Sequence, residues 1–259
     1  WPSSVKFANG LPVVLNKKPS NVSYLKLVTA DGGSTWICVD SVLSTISSPY
    51  TSTALKLSPG GLYLMEEASG TSMLDISGNA RSGTGVGSVL PTSPSLLAEG
   101  GLSLNATTTQ YATVPIAACN TISNFTISFW INFTHTNNNV IAECNQNAGW
   151  SFQTDSTAAS GTNGAVIAVT TYSGVLVYMR SSIAINDGNP HHVVFVIGSS
   201  QSTSYIFIDS VDRTSRPATS GTQSTTYSTQ NHWDIGSRGG STLGLSGRVD
   251  GLAFFPAAL

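Results

Sequence analysis

Charge is what this sequence has least of. Asp, Glu, Lys and Arg together make up 9% of its 259 residues, against about 25% in an ordinary soluble domain. The net charge is −2 and the basic residues are scattered, so neither nucleic acid nor an anionic membrane surface is expected as a partner. Glutamate is limited to Glu66, Glu67, Glu99 and Glu143. A retaining glycoside hydrolase needs two carboxyl groups about 5 Å apart across the scissile bond. None of the four glutamates has an acidic partner two or four residues away on a convincing strand, and the adjacent Glu66 and Glu67 would face opposite sides of one. A Gly-x-Ser-x-Gly nucleophile elbow and a phosphate-cradling glycine loop are also missing. Catalysis is not expected, and a glycoside hydrolase is the least favoured function class.

Metal-binding and redox motifs are equally scarce. The three cysteines, Cys38, Cys119 and Cys144, are odd in number and lack metal-ligand spacing, which leaves open a Cys119–Cys144 disulfide or free buried thiols. His191 and His192 begin a strand, so their side chains point to opposite faces and cannot grip one metal. His135 and His232 have no partner at ligand spacing. No apolar run approaches the roughly 18 residues of a membrane span, so membrane insertion is not expected. The first residue is Trp1; the expectation is a processed chain or an excerpt of a longer one.

What fills the sequence is Ser, Thr, Asn and Gly around a hydrophobic fraction of 40%, enough for a sizeable core. Residues 1–52 carry short β-like runs, Leu11–Leu15, Tyr24–Ala30 and Trp36–Val39, with an Asp31-Gly32 turn signal. They are expected to form a small N-terminal β segment docked on another surface, joined through a Ser44–Thr53 linker to a main domain over 53–259. In that domain Asn124–Phe133 is the clearest strand: Phe125, Ile127, Phe129, Ile131 and Phe133 alternate with Thr126, Ser128, Trp130 and Asn132. Further strands are expected at Gln110–Pro115, Val140–Glu143, Trp150–Thr154, Ala165–Thr171, Val175–Arg180, His191–Ile197, Tyr205–Ile208, Trp233–Gly236 and Val249–Phe255. Ser/Thr-rich loops are expected at 157–163, 199–204 and 214–230. Helical periodicity is nowhere sustained. The fold class is therefore all-β, an antiparallel sandwich or jelly roll.

One stretch narrows this further. Leu62–Ala80 reads LYLMEEASGTSMLDISGNA: an apolar run, an acidic pair, a Ser-Gly turn and an Asp-x-Ser-Gly-Asn turn. It resembles the opening of a laminin G-like (concanavalin A-like) jelly-roll module. Phe125–Ile131 resembles the central strand of that family, and Asn186–Val193 its turn and following strand, with Pro190 where Trp is usual. Tyr205–Asp209 is similar to a strand that normally ends in Asp-Gly, although Ser210 follows here. Gly247–Leu252 is similar to the last strand, with Gly251 where an acidic residue is common, and Pro256–Leu259 resembles the module's end. The resemblance spans about 200 residues from Ala54 onward.

The resemblance implies a structural calcium ion near the first turn, held by Asp75 and Asn79 with Asp250 contributed from the last strand, since calcium takes six to eight oxygens. The alternative is an Asx-turn in which Asp75 caps its own backbone. Trp130, Trp150 and Trp233, with Tyr172, are the candidate ligand-binding residues, because sugars stack on exposed aromatic faces; the alternative is that these rings are core. Asn21, Asn105, Asn124 and Asn132 head Asn-x-Ser/Thr sequons, which in so Ser/Thr-rich a chain are expected as chance matches. The expected function is a non-catalytic binding or adhesion module that recognises glycans or another cell-surface ligand. It would work with other protein chains of a multimeric assembly, at an extracellular or virion surface such as a phage tail fibre or capsid appendage. The alternative is a purely structural module of the same assembly.

Overall fold

In the computed structural model the described residues are 5–7, 24–29, 36–42, 49–65, 67, 71–87, 101–107, 109–119, 123–144, 149–156, 163–171, 175–217, 231–239 and 243–259. The chain divides into two compact units, Trp1–Ser52 and Thr53–Leu259. In the first, β1 (Val5–Phe7), β2 (Tyr24–Thr29) and β3 (Trp36–Val42) form a three-stranded sheet with β3 in the centre. β2 pairs with β3 antiparallel and β1 pairs with it in parallel. The expected Leu11–Leu15 strand and Asp31-Gly32 turn lie outside the described residues. One reading needs correction: Pro49-Tyr50 is not linker but the start of helix α1 (Pro49–Lys56). Proline suits a first helical position because its missing N–H is not needed there, and Lys56 sits favourably in the last turn.

The second unit holds β4 (Gly61–Tyr63), β5 (Ser72–Met73), β6 (Gly83–Val86), β7 (Leu102–Asn105), β8 (Tyr111–Pro115), β9 (Phe125–Phe133), β10 (Val140–Cys144) and β11 (Gly149–Thr154). It continues with β12 (Val166–Thr171), β13 (Val175–Ser181), β14 (His191–Ile197), β15 (Tyr205–Ile208), β16 (Val211–Asp212), β17 (Thr214–Ser215), β18 (His232–Ile235) and β19 (Ser246–Phe255). A seven-stranded sheet runs β16-β15-β14-β9-β19-β4, with β7 also paired to β19. A nine-stranded sheet runs β17-β13-β12-β11-β10-β18-β8-β6-β5. Every pairing in both sheets is antiparallel. The all-β, jelly-roll sandwich expectation holds.

The alternation in β9 sets the core. Phe125, Ile127, Phe129, Ile131 and Phe133 are buried, and rings from the two sheets meet between them. Phe125 packs against Trp150, Phe152 and Trp233, Phe152 against Phe195, and Trp233 against Phe254. Cys144 is buried in the same core. Such rings bury large apolar areas and lock the two layers in register.

β19 changes partner halfway. Ser246–Val249 pair with β7, whereas Leu252–Phe254 pair with β4. Between them the pairing to β9 slips by one residue between Asp250 and Ala253. Gly251 sits there at φ 57°, as expected of a bulge whose extra residue adopts the left-handed conformation. The departure from the family pattern at position 251 thus has a backbone reason.

Candidate functional site

Asp75 is buried and all but closed off by its own turn. Its Oδ1 accepts from the backbone N–H of Leu62 (3.1 Å) and of Ser77 (2.9 Å), and its Oδ2 from that of Arg81 (2.9 Å). Burial pushes its carboxyl up, but the bonds from Ser77, Leu62 and Arg81 outweigh this and hold it below the ordinary Asp range. Asn79 gives its side-chain amide to the Pro59 carbonyl at 2.9 Å. Asp75 faces Tyr63, which pairs with Leu252, two positions beyond Asp250; Asp250 itself is opposite Trp130. Asp75 already spends its oxygens on amide donors. Asp75 thus takes the Asx-turn arrangement, and among the described residues no group of three His, Cys, Asp or Glu side chains could hold a metal ion. Glu66 lies outside the described residues.

The aromatic candidates separate sharply. Trp150 and Trp233 are 1% and 0% exposed; they are core residues, because both strands turn alternate residues toward β9 and these are the inward ones. They cannot offer a ring to a surface ligand. Trp130 is half-buried on the outer face of the seven-stranded sheet. One face of its ring is covered by His192, stacked with centroids 5.2 Å apart at 26°. His192 Nε2 lies 2.8 Å from Ser128 Oγ, and burial lowers its pKa. Tyr172 and the loops 157–162 and 218–230 lie outside the described residues.

The nine-stranded sheet carries an arrangement that strand-by-strand reading missed. Ser72, Thr84, Thr113, Asp234, Glu143 and Ser151 stand directly opposite one another across β5, β6, β8, β18, β10 and β11. Directly opposed residues share a sheet face. The neighbouring inward residues, such as Val114, Trp233 and Ala142, are core, so the polar row is on the outer face. With strands about 4.8 Å apart, it spans about 24 Å.

The row has two halves. Ser72 and Thr84 are exposed and Thr113 half-buried, with Tyr111 and Val86 paired beside them, also half-buried. Asp234, Glu143 and Ser151 are 1%, 1% and 0% exposed. Glu143 accepts from Arg238 at both oxygens (Nε to Oε1 2.9 Å, Nη2 to Oε2 2.8 Å) and from Ser151 Oγ at 2.6 Å. Gln153 Nε2 in turn donates to Ser151 Oγ at 2.7 Å. Asp234 Oδ2 accepts from Gly239 N at 3.0 Å, and its Oδ1 is 3.2 Å from His232 Nε2. The two carboxylates thus pin the turn 236–239 onto the sheet, with Arg238 and His232 partly exposed at its rim. A cross-strand acid pair leaves no mark at i+2 or i+4. Only the strand order, which places β18 beside β10 and about 90 residues away in sequence, brings it together.

Two antiparallel sheets enclosing one aromatic core define a lectin-type jelly roll. The family described as the concanavalin A-like lectin/glucanases superfamily, laminin G type, matches residues 106–259, and the chain belongs to it. Among solved structures it is similar to the binding domain of Paraclostridial Mosquitocidal Protein 1, with a TM-score of 0.53 at 14% identity over 79% of this chain and 50% of that one. It is also similar to the receptor binding domain of botulinum neurotoxin C/D mosaic serotype, with a TM-score of 0.52 at 13% identity over 78% and 48%. Trypanosoma rangeli sialidase gives a TM-score of 0.53 at 13% identity over 77% and 30%. At such identities the likeness is one of fold, and the chain spans half or less of each of these structures. No curated protein sequence matches it.

Proposed function

We propose that the chain is a non-catalytic binding module of an extracellular or virion surface assembly, such as a tail fibre or capsid appendage, and that it recognises glycans. The observation that carries this reading is the open half of the polar row. Ser72, Thr84 and Thr113 present neutral hydroxyls at strand spacing on a rigid sheet, with Tyr111 alongside. Hydroxyls donate and accept, as sugar hydroxyls do, and a tyrosine ring supplies an apolar patch. The family and two solved neighbours named as binding domains support the class. Hydrolysis is not part of the proposal, because Glu143 and Asp234 are buried and Glu143 is tied to Arg238. Single-site affinity is expected at roughly millimolar to micromolar, with attachment depending on several copies.

The test is binding of a multimerised chain to a glycan array and to soluble oligosaccharides, repeated with Thr84→Val/Thr113→Val, Tyr111→Ala and Trp130→Ala. Loss of binding in the first two, with folding intact, is expected. Binding that survives both but falls with Trp130→Ala would move the site to the other sheet. A multimer that binds nothing would favour the assembly reading, which the burial of Trp150 and Trp233 supports.

A further inference from the structure

We infer that Asn105 is the position at which this chain carries an N-linked glycan. Three of the four sequons fall on described residues, and the fold separates them. In Asn132-Phe133-Thr134 the Asn132 side chain is half-buried and gives its Nδ2 to the Gly188 carbonyl; a glycan there would have to break that contact. In Asn124-Phe125-Thr126 the asparagine is exposed, but Thr126 is 0% exposed. Its hydroxyl is spent on the C-terminal residues, donating to the Ala257 carbonyl and accepting from Leu259 N. Asn105-Ala106-Thr107 differs on every count, because all three residues are exposed at the end of β7. The turn is held in place by Asn105 N donating to Gln110 Oε1 and by Ala106 N donating to the Leu245 carbonyl.

Its side chains are also arranged for the chemistry. Asn105 Oδ1 accepts from Thr107 Oγ1 at 2.7 Å and from Thr107 N at 3.3 Å, while Nδ2 makes no hydrogen bond among the described residues. Donors on the carbonyl oxygen draw charge toward it and make the Nδ2 protons easier to lose. The reaction requires a lipid pyrophosphate-linked oligosaccharide and a glycosyltransferase, found together in a secretory pathway, so the inference rests on the extracellular form of the proposed function and not on a phage fibre. A bond forms from Nδ2 to the anomeric carbon of the sugar, and the bond from that carbon to the pyrophosphate oxygen breaks. Nδ2 gives up one proton and the lipid pyrophosphate leaves. Asn105 ends β7, which pairs with β19 of the seven-stranded sheet, but its turn runs within six residues into Tyr111 beside the Ser72–Thr84–Thr113 row, so occupancy is read by mass and not by ligand binding.

The experiment is secretion of the full chain from eukaryotic cells, intact-mass measurement, and peptide mapping after enzymatic release of the glycan, which leaves aspartate in place of the modified asparagine. Among the three sequons on described residues, a glycan is expected on Asn105 alone. It should disappear in Asn105→Gln and in Thr107→Ala, persist in Thr107→Ser, and be unaffected by Asn124→Gln or Asn132→Gln. A folded, secreted chain with Asn105 bare would overturn the proposal, as would equal occupancy at Asn124 or Asn132. Thr107→Ala separates loss of the sequon from loss of folding, because its melting temperature can be compared directly with that of Thr107→Ser.

Discussion

At the scale of single residues, Asp75 states most clearly what a side chain does here. Its three backbone N–H donors come from Leu62, Ser77 and Arg81, and removing the acceptor strands them in a partly buried turn. Asp75→Ala is expected to cost about 2–4 kcal/mol, since a buried donor left unmet costs roughly 1–3 kcal/mol. The loss should be the same with chelator or with added calcium; a melting temperature that drops on chelation in the unmodified chain and not in the variant would restore the metal reading. The depressed pKa of Asp75 gives the same bonds a pH signature. The contribution is present above the ordinary Asp pKa of about 3.9 and is lost as pH falls through the lower folded value. The tryptophans make a second prediction. Trp150→Ala and Trp233→Ala should each cost about 3–5 kcal/mol, as large-to-small changes in a closed core do, whereas Trp130→Ala should cost roughly 1 kcal/mol. Urea unfolding of the three variants checks the order. Sequence named all three tryptophans as candidates because a strand residue's face depends on which neighbours cover it. Alternation separates the two faces of a strand, but it does not say which is wet.

At the scale of elements, β9 was legible because five apolar residues at a period of two admit one reading. The His191–Ile197 and Tyr205–Ile208 strands were legible for similar reasons. β5, β6, β7, β16 and β17 were not: each is two to four residues long, too short to show a period. The Glu143–Asp234 pair was hidden by chain distance, and the helix at Pro49–Lys56 by a Ser/Thr-rich composition that resembles a linker.

His191 joins two elements in a way that pH should reveal. Its Nδ1 lies 2.7 Å from Asp209 Oδ2 and its Nε2 3.1 Å from Asp187 Oδ1, so it clamps the turn before β14 and the β15–β16 hairpin together. Burial pushes its pKa down, but Asp209 and Asp187 outweigh this and raise it. Asp187 is held at about 2 by the Asn189 amides and, to a lesser degree, by His191. The stabilisation from His191 is therefore complete below its unfolded pKa of about 6.5 and fades as pH rises through the folded value. His135 and His192, lowered by burial, act in the opposite sense, so the measurement is a difference. The gap in melting temperature between the unmodified chain and His191→Gln should be roughly 2 °C at pH 5.5 and shrink at pH 8.5. A gap that is constant or widens with pH would remove the clamp.

At the scale of the molecule, the second unit holds a closed core of its own. Both sheets, and among the described residues every interlayer ring contact, lie between Gly61 and Phe255, whereas the first unit is a three-stranded sheet of short strands. A fold is independently stable when it can bury enough apolar surface to offset chain entropy, and size favours the larger unit strongly. The boundary at Ser52/Thr53 falls inside α1, and Thr51 and Ala54 are buried. A cut there would sever a helix and expose its packed residues. A fragment beginning at Pro49 keeps the helix whole. It is expected to unfold in one cooperative step with a melting temperature within about 5 °C of the intact chain, the size of effect a loss of about 1–2 kcal/mol produces in a domain of this length. A fragment from Ala54 should melt lower by more than that. Calorimetry on both, with the intact chain alongside, decides it. If the Pro49 fragment is unfolded or molten, the jelly roll depends on residues 1–48 for its core. The two units would then be one folding domain, and the glycan-binding proposal would have to be tested on the intact chain alone.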